Sequence, residues 1–151
     1  MEVFRITLTK YSDKLYATGR INRWNYRGEK LIYTAGSQSL ACLENIVHSS
    51  GEALNQSFTV MVIYIPDKIS PQVIRPDQLV KDWNKHAWSR TCQALGSKWL
   101  NGRTSLLLQV PSSIIPEEKN YLINPNHQEF GLVKVIDRQQ FTFDKRILGN
   151  P

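Results

Sequence analysis

The chain carries no Gly-x-Gly-x-x-Gly stretch and no phosphate-loop lysine motif, so neither a doubly wound dinucleotide fold nor a P-loop nucleotide enzyme is supported. It has no His-Glu-x-x-His and only three scattered histidines, and its two cysteines, Cys42 and Cys92, fall in helical patterns without metal-ligand spacing. That argues against a catalytic metal and against a disulfide-stapled scaffold. Val110-Pro111-Ser112 lacks the glycines of a serine-hydrolase elbow. The longest apolar run, residues 60–65, has the length of a strand, far from the ~20 residues of a membrane-spanning helix. The first residues lack a charged-then-apolar leader pattern, and a reducing cytoplasm is the expected compartment. There the Asn55-Gln56-Ser57 acceptor match has no meaning.

What remains is an ordinary globular composition: 151 residues, 41% hydrophobic and 21% charged. Length predicts one domain over 1–151, with no repeat and no low-complexity tract. The formal net charge of +6 suits an anionic ligand, a nucleic acid or an acidic protein, without choosing among them.

Residues 2–9 alternate as a half-buried strand that includes Arg5, and 31–33 and 58–65 read as further strands. Ser37 is a candidate N-cap for a helix through His48, with Leu40, Leu43 and Val47 at core spacing. Val73-Ile74 between two prolines is an edge strand at most. A second helical region is expected from Asp77 through Trp83 and, after a break near Asn84, from Trp88 to a close at Gly102. Trp83, Trp88 and Trp99 are expected to pack the core. A strand over 105–110 leads into Ser112, and 130–136 with 140–143 read as a hairpin. Few strand-helix-strand alternations predict an α+β domain with a mixed, largely antiparallel sheet.

Three side chains stand out. Arg23 sits in the polar tetrad Asn22-Arg23-Trp24-Asn25, which the following Gly28 marks as a structured loop. Tyr33 ends an apolar run. At about 100° per residue, Glu44 falls within about 40° of Leu40 and so points with the apolar stripe. A carboxylate turned inward needs a partner or a wet pocket. Arg23 could supply a structural ion pair, or the two could line a site. Ser112, just past a strand end behind a stiffening proline, could present a hydroxyl to a cleft or only bond a turn. His127 lies in turn chemistry and is more simply a backbone-bonded histidine than an acid-base group. A separate reading takes Lys10, Lys14, Arg20 and Arg23 with Tyr11, Tyr16 and Trp24 as a stacking surface for nucleic acid.

The order and spacing of Arg5, Arg23-Trp24-Asn25, Leu31-Ile32-Tyr33-Thr34, Leu40-Ala41-x-Leu43-Glu44, Val110-Pro111-Ser112, Asn120-Tyr121-Leu122-Ile123-Asn124-Pro125-x-His127 and Phe143-Asp144-x-Arg146 resemble the RES domain family. These are toxins of bacterial type II toxin-antitoxin systems that consume NAD+. The family's arginine, glutamate and serine fall on Arg23, Glu44 and Ser112, and the resemblance implies that Ser112 positions ribose or nicotinamide of NAD+ by hydrogen bond. Its likeness to diphtheria-toxin-like ADP-ribosyltransferases implies a split sheet and an Arg-Tyr-Glu set in which Arg23, Tyr33 and Glu44 bind NAD+. The resemblance further implies cleavage of the nicotinamide-ribose bond, with water, phosphate or a protein side chain as acceptor. It implies an Xre-type DNA-binding antitoxin, a toxin homodimer within that complex, and no metal. This chain departs from the pattern at Asn22, where the family usually has glycine; asparagine reaches a left-handed backbone less freely.

Overall fold

The computed structural model describes residues 1–49, 51–85 and 89–148. Buried on both faces from Phe58 to Ile63 is β3 (Phe58–Tyr64), a run of β-branched and aromatic residues paired on both edges one strand in from the end of the sheet. On one side lies β1 (Glu2–Leu8), paired residue for residue from Glu2↔Tyr64 to Leu8↔Phe58. On the other lies β7 (Lys134–Phe141). With β2 (Ile32–Ala35), β4 (Gln72–Val73), β5 (Leu107–Pro111) and β6 (Lys119–Ile123), they form one sheet in the order β4-β5-β6-β2-β1-β3-β7. Every neighbouring pair is antiparallel except β4 and β5. The α+β expectation with a mixed, largely antiparallel sheet is therefore met.

One join in this sheet is incomplete. β1 and β2 are paired at a single position, Phe4↔Ala35, and beyond it Arg5 and Ile6 of β1 part from Tyr33 and Thr34 of β2. That divergence splits the sheet and opens the space in which the candidate site lies.

The helix α1 (Gln38–His48) begins where expected, with the Ser37 hydroxyl accepting from the Leu40 amide at 3.1 Å. Its buried face is rotated from the expected stripe: Leu40 and Ala41 are buried, whereas Val47 is 55% exposed. Asn45, next to Glu44, reaches the sheet instead and donates to the Ile6 carbonyl at 3.3 Å. The 77–83 segment is not a regular helix. Pro76–Gln78 form a 3-10 turn, and Asp82 adopts a left-handed backbone (φ 63°) that no helix continues through. The second helix, α2 (Arg90–Gly102), starts at the cap Ser89. Its left-handed end is Arg103 (φ 50°), one residue beyond the glycine expected to close it. Trp83 and Trp99 are buried as expected, and Trp88 lies outside the described residues.

The hairpin expected over 130–143 is instead one strand, β7, behind a 3-10 turn at Phe130–Leu132. Its register on β3 jumps from Val62↔Asp137 to Ile63↔Val135, so Ile136 is an extra, bulged residue. The bulge reverses the phase of side-chain alternation, which in the sequence mimics a strand break.

Helix α2 packs unusually close to the loop that carries Arg23. A Cβ built on Gly96 would lie 1.9 Å from the Trp24 carbonyl oxygen, so only glycine fits unless the helix or the loop moves. Gly96→Ala is expected to destabilise the protein by about 2 kcal/mol or more, read as a lowered midpoint in urea unfolding. An unchanged midpoint would mean that the loop yields freely.

Candidate active site in the split of the sheet

A cavity of about 300 Å³ occupies the divergence between β1 and β2, lined among others by Arg5, Arg20, Arg23, Tyr33, Glu44, His48 and Asn120. The arginine, tyrosine and glutamate singled out from the sequence therefore share one space. No ion pair joins Arg23 to Glu44, so the structural-pair reading does not describe them.

Glu44 is held by three side chains. Ser112 Oγ donates to its Oε1 at 2.9 Å, Asn120 Nδ2 donates to the same oxygen at 2.7 Å, and His48 Nε2, one helical turn on, lies 3.3 Å from Oε2. Burial on its own would raise the carboxyl pKa, but the hydrogen bonds from His48, Asn120 and Ser112 outweigh it and hold the group below its ordinary value. The carboxylate is thus kept ionised with its side chain 20% exposed.

Ser112 is fully buried and does not line the cavity. Its oxygen accepts from the amides of Ile114 and Ile115 at 3.1 and 3.3 Å, which leaves its proton directed at Glu44. Of the two readings of Ser112, the turn is met through the Ile114 and Ile115 amides, and the hydroxyl reaches Glu44 from outside the cavity lining instead of facing the cleft.

Arg23 is buried, with Nη1 donating to the Trp83 carbonyl at 2.6 Å and its guanidinium 5.8 Å from the Trp83 ring centroid. Its Nε and Nη2 have no hydrogen-bond partner among the described residues. Desolvation lowers its pKa, opposed by the nearby Cys92, Glu44 and Tyr33. The loop below it is tightly tied. Buried Asn25 donates through Nδ2 to the Arg20 and Tyr26 carbonyls at 2.7 and 2.9 Å. Gln93 of α2 donates to the Asn22 carbonyl at 3.0 Å, and Glu29 accepts from Ser97 and Asn101 of the same helix. Asn22 has no left-handed backbone; its Oδ1 accepts from the Arg23 amide at 2.8 Å. The substitution of the usual glycine is accommodated without strain.

The Tyr33 hydroxyl donates to Asn25 Oδ1 at 2.8 Å and accepts from the Trp24 amide at 3.1 Å. Burial raises its pKa far above the ordinary phenol value, so it stays neutral and only the ring is available to a ligand. His127 and Asn124 stand apart from the cavity: His127 Nδ1 accepts from the Glu129 amide at 3.2 Å, and Asn124 Nδ2 donates to the Leu100 carbonyl at 3.0 Å. Both are structural. The nucleic-acid reading loses a member, because Trp24 is 3% exposed and packs on Trp83 at 6.2 Å between centroids. Lys10 and Lys14 lie over the rings of Tyr11 and Tyr16 on the surface.

Asn120 and His48 were not read as site residues from the sequence. His48 was accessible through its i+4 relation to Glu44; Asn120 reaches Glu44 only through the pairing of β6 with β2 and β5, which a single sequence does not display.

Residues 2–144 match the RES domain as a family. The chain belongs to the RES domain family. Among relatives of this RES domain, the Prs ADP-ribosylating toxin of Sphingobium sp. (strain YBL2) is 35% identical over 128 residues, covering 83% of this chain and 80% of that protein. Toxin Res of Yersinia enterocolitica is 33% identical over 142 residues, 93% of this chain and 90% of its own. Toxin Res of Photorhabdus laumondii is 33% identical over 153 residues, 98% and 97% of the two chains. In fold, this RES domain is similar to a chain in the crystal structure of the M. tuberculosis MbcT-MbcA toxin-antitoxin complex, with a TM-score of 0.71 at 17% identity over 93% of this chain and 84% of that one.

Because the folded pKa of Glu44 is depressed, its contribution to stability is present above the unfolded glutamate range and is lost as pH falls through the folded value. Asn120→Ala removes one of the bonds that depress it. The variant's Glu44 is expected to titrate at higher pH, followed by carboxyl NMR shifts. Its stability deficit should be largest near neutrality and shrink in acid; a deficit independent of pH would deny Asn120 this electrostatic role.

Proposed function

We infer that this RES domain cleaves the bond between nicotinamide and ribose in NAD+ and acts as the toxin of a toxin-antitoxin pair. The observation that carries the reading is an ionised, hydrogen-bonded carboxylate, Glu44, in the same cavity as a guanidinium that has no acid partner among the described residues. The family match and the names of the relatives support it, and one relative's name specifies ADP-ribosylation.

Breaking a nicotinamide-ribose bond passes through an oxocarbenium-like state, so catalysis needs negative charge near the sugar, a fixed leaving group and a held phosphate. Glu44 accepts a hydrogen bond from a hydroxyl of the nicotinamide ribose and stabilises the positive charge that develops. Its carboxylate is already oriented, which avoids reorganisation when that charge forms. Arg23 offers Nε and Nη2 to phosphate oxygens while Nη1 stays on the Trp83 carbonyl. The Tyr33 ring stacks on the nicotinamide and aligns it for departure. Ser112 is a positioning residue that acts through Glu44.

The acceptor is water, inorganic phosphate or a protein side chain. The Sphingobium relative's name favours the last as a second reading. Mass spectrometry of the products, with and without phosphate and candidate proteins, separates the three. The partner is an antitoxin that blocks this cavity; an Xre-type DNA-binding antitoxin and a toxin homodimer complete the proposal.

Purified protein incubated with NAD+ is expected to release nicotinamide. Glu44→Gln should slow that release by about 100-fold or more, with substrate binding less affected. Arg23→Lys should act chiefly on KM. Full activity in the glutamine variant, followed by chromatography of nicotinamide, would remove Glu44 from the chemistry.

A further inference from the structure

Trp83 does not line the cavity, yet it holds an arginine that does. Its carbonyl accepts from Arg23 Nη1 at 2.6 Å, and the Arg23 guanidinium lies over its ring, 5.8 Å from the centroid. The same indole packs on Trp24, the next residue of the arginine's own loop, at 6.2 Å between centroids.

The local backbone explains why that carbonyl is there to be used. A helix running through this segment would commit the Trp83 carbonyl to an amide four residues on, or leave it pointing along the axis at the helix end. Two short turns stand in its place. The Trp83 amide donates to the Val80 carbonyl at 3.2 Å, and the Lys85 amide donates to the Asp82 carbonyl at 3.0 Å. They overlap at Asp82 and Trp83, and the left-handed backbone of Asp82 (φ 63°) turns the chain immediately before the tryptophan. Aspartate enters that conformation more readily than most side chains, and β-branched residues scarcely do. The Asp82 carboxylate faces outward, where Lys85 Nζ meets it at 2.9 Å with both side chains exposed. A left-handed residue that is not glycine marks a place where strain is kept for what it aims, and here it aims a carbonyl and an indole at Arg23.

A planar guanidinium held at one nitrogen and set over a ring has little freedom left to turn, so Nε and Nη2 keep one orientation. Without that mooring the side chain would have to be ordered at the moment of binding. We propose that Trp83 is a positioning residue for Arg23, delivered by the left-handed turn at Asp82, and that this mooring preorganises the guanidinium for an anion entering the cavity. Naming that anion a phosphate of a dinucleotide rests on the NAD+ reading.

Asp82→Gly and Asp82→Val both remove the carboxylate and its bond to Lys85, but glycine keeps the left-handed turn and valine opposes it. The test is calorimetric binding of ADP-ribose to wild type and both variants, with thermal unfolding of each and nitrogen NMR of the arginine side chains without ligand. Asp82→Gly should bind within about 2-fold of wild type and Asp82→Val about 5-fold or more weaker, the effect of having to immobilise one freed side chain on binding. The two Nη groups of Arg23 should give separate signals in wild type and Asp82→Gly, because the guanidinium is held, and merge in Asp82→Val. Separate signals in Asp82→Val, or merged ones in wild type, overturn the proposal whatever the affinities. Equal affinity in all three chains overturns it as well, as does an equal loss in both variants, which would assign the effect to the carboxylate. A valine variant that is only less stable, with wild-type affinity, makes the turn merely structural. A wild-type chain without affinity for ADP-ribose retires the NAD+ reading alone, and the Nη signals then decide the mooring by themselves.

Discussion

The carboxylate of Glu44 can remain charged in a mostly closed setting because three neighbours hydrogen-bond the ionised form. An amide and a hydroxyl converge on Oε1 and an imidazole lies beside Oε2. Removing such a group from water raises its pKa unless the donors compensate, and here they do so in excess. The rest of the site can be understood as what this requires. Helix α1 must run along the split with Glu44 facing it, and the end of β5 must lie beside the start of β6 so that Ser112 and Asn120 meet at one oxygen. The sheet must open between β1 and β2, or no ligand could reach the acid.

The arginine side of the cavity is built by a different means. The 12–31 segment has little regular structure, and its order comes from helix α2. Gly96 lets the helix touch the Trp24 backbone, Gln93 takes the Asn22 carbonyl, and Glu29 is fastened to Ser97 and Asn101. Glu29 is therefore a structural acid, although it lines the cavity. The two acids of this space differ in what they hold: one anchors a loop, and the other is itself anchored and left facing the cavity.

Much of this was legible in the residues. The inward turn of Glu44 followed from helical angle alone, and Ser37 announced the helix start. The strand β3 declared itself by composition. What was not legible depended on long-range pairing. Val47 looked like core by spacing, but helix α1 is rolled toward Ala41 and Asn45 by its contact with β1. Ser112 could be read as facing a cleft or as bonding a turn, and only the turn that follows it, with the Ile114 and Ile115 amides on its oxygen, shows where its proton points. Asn120 opened one of the segments that resemble the family, but nothing local pointed it at Glu44, and the bulge at Ile136 gave a false signal. Trp24 reads as an exposed aromatic in a polar tetrad, yet the polar residues around it bond one another and leave it to the core.

The partners of Glu44 are 68 and 76 residues downstream of it. A ribosome that has released only the first hundred residues has therefore made the acid, the arginines and the tyrosine, but neither group that fixes the acid's nearer oxygen. A chain of that length lacks this support, and the carboxylate is fixed on both sides only after β6 has been translated and folded against β2. The order in which the strands are written thus sets when the carboxylate can be held.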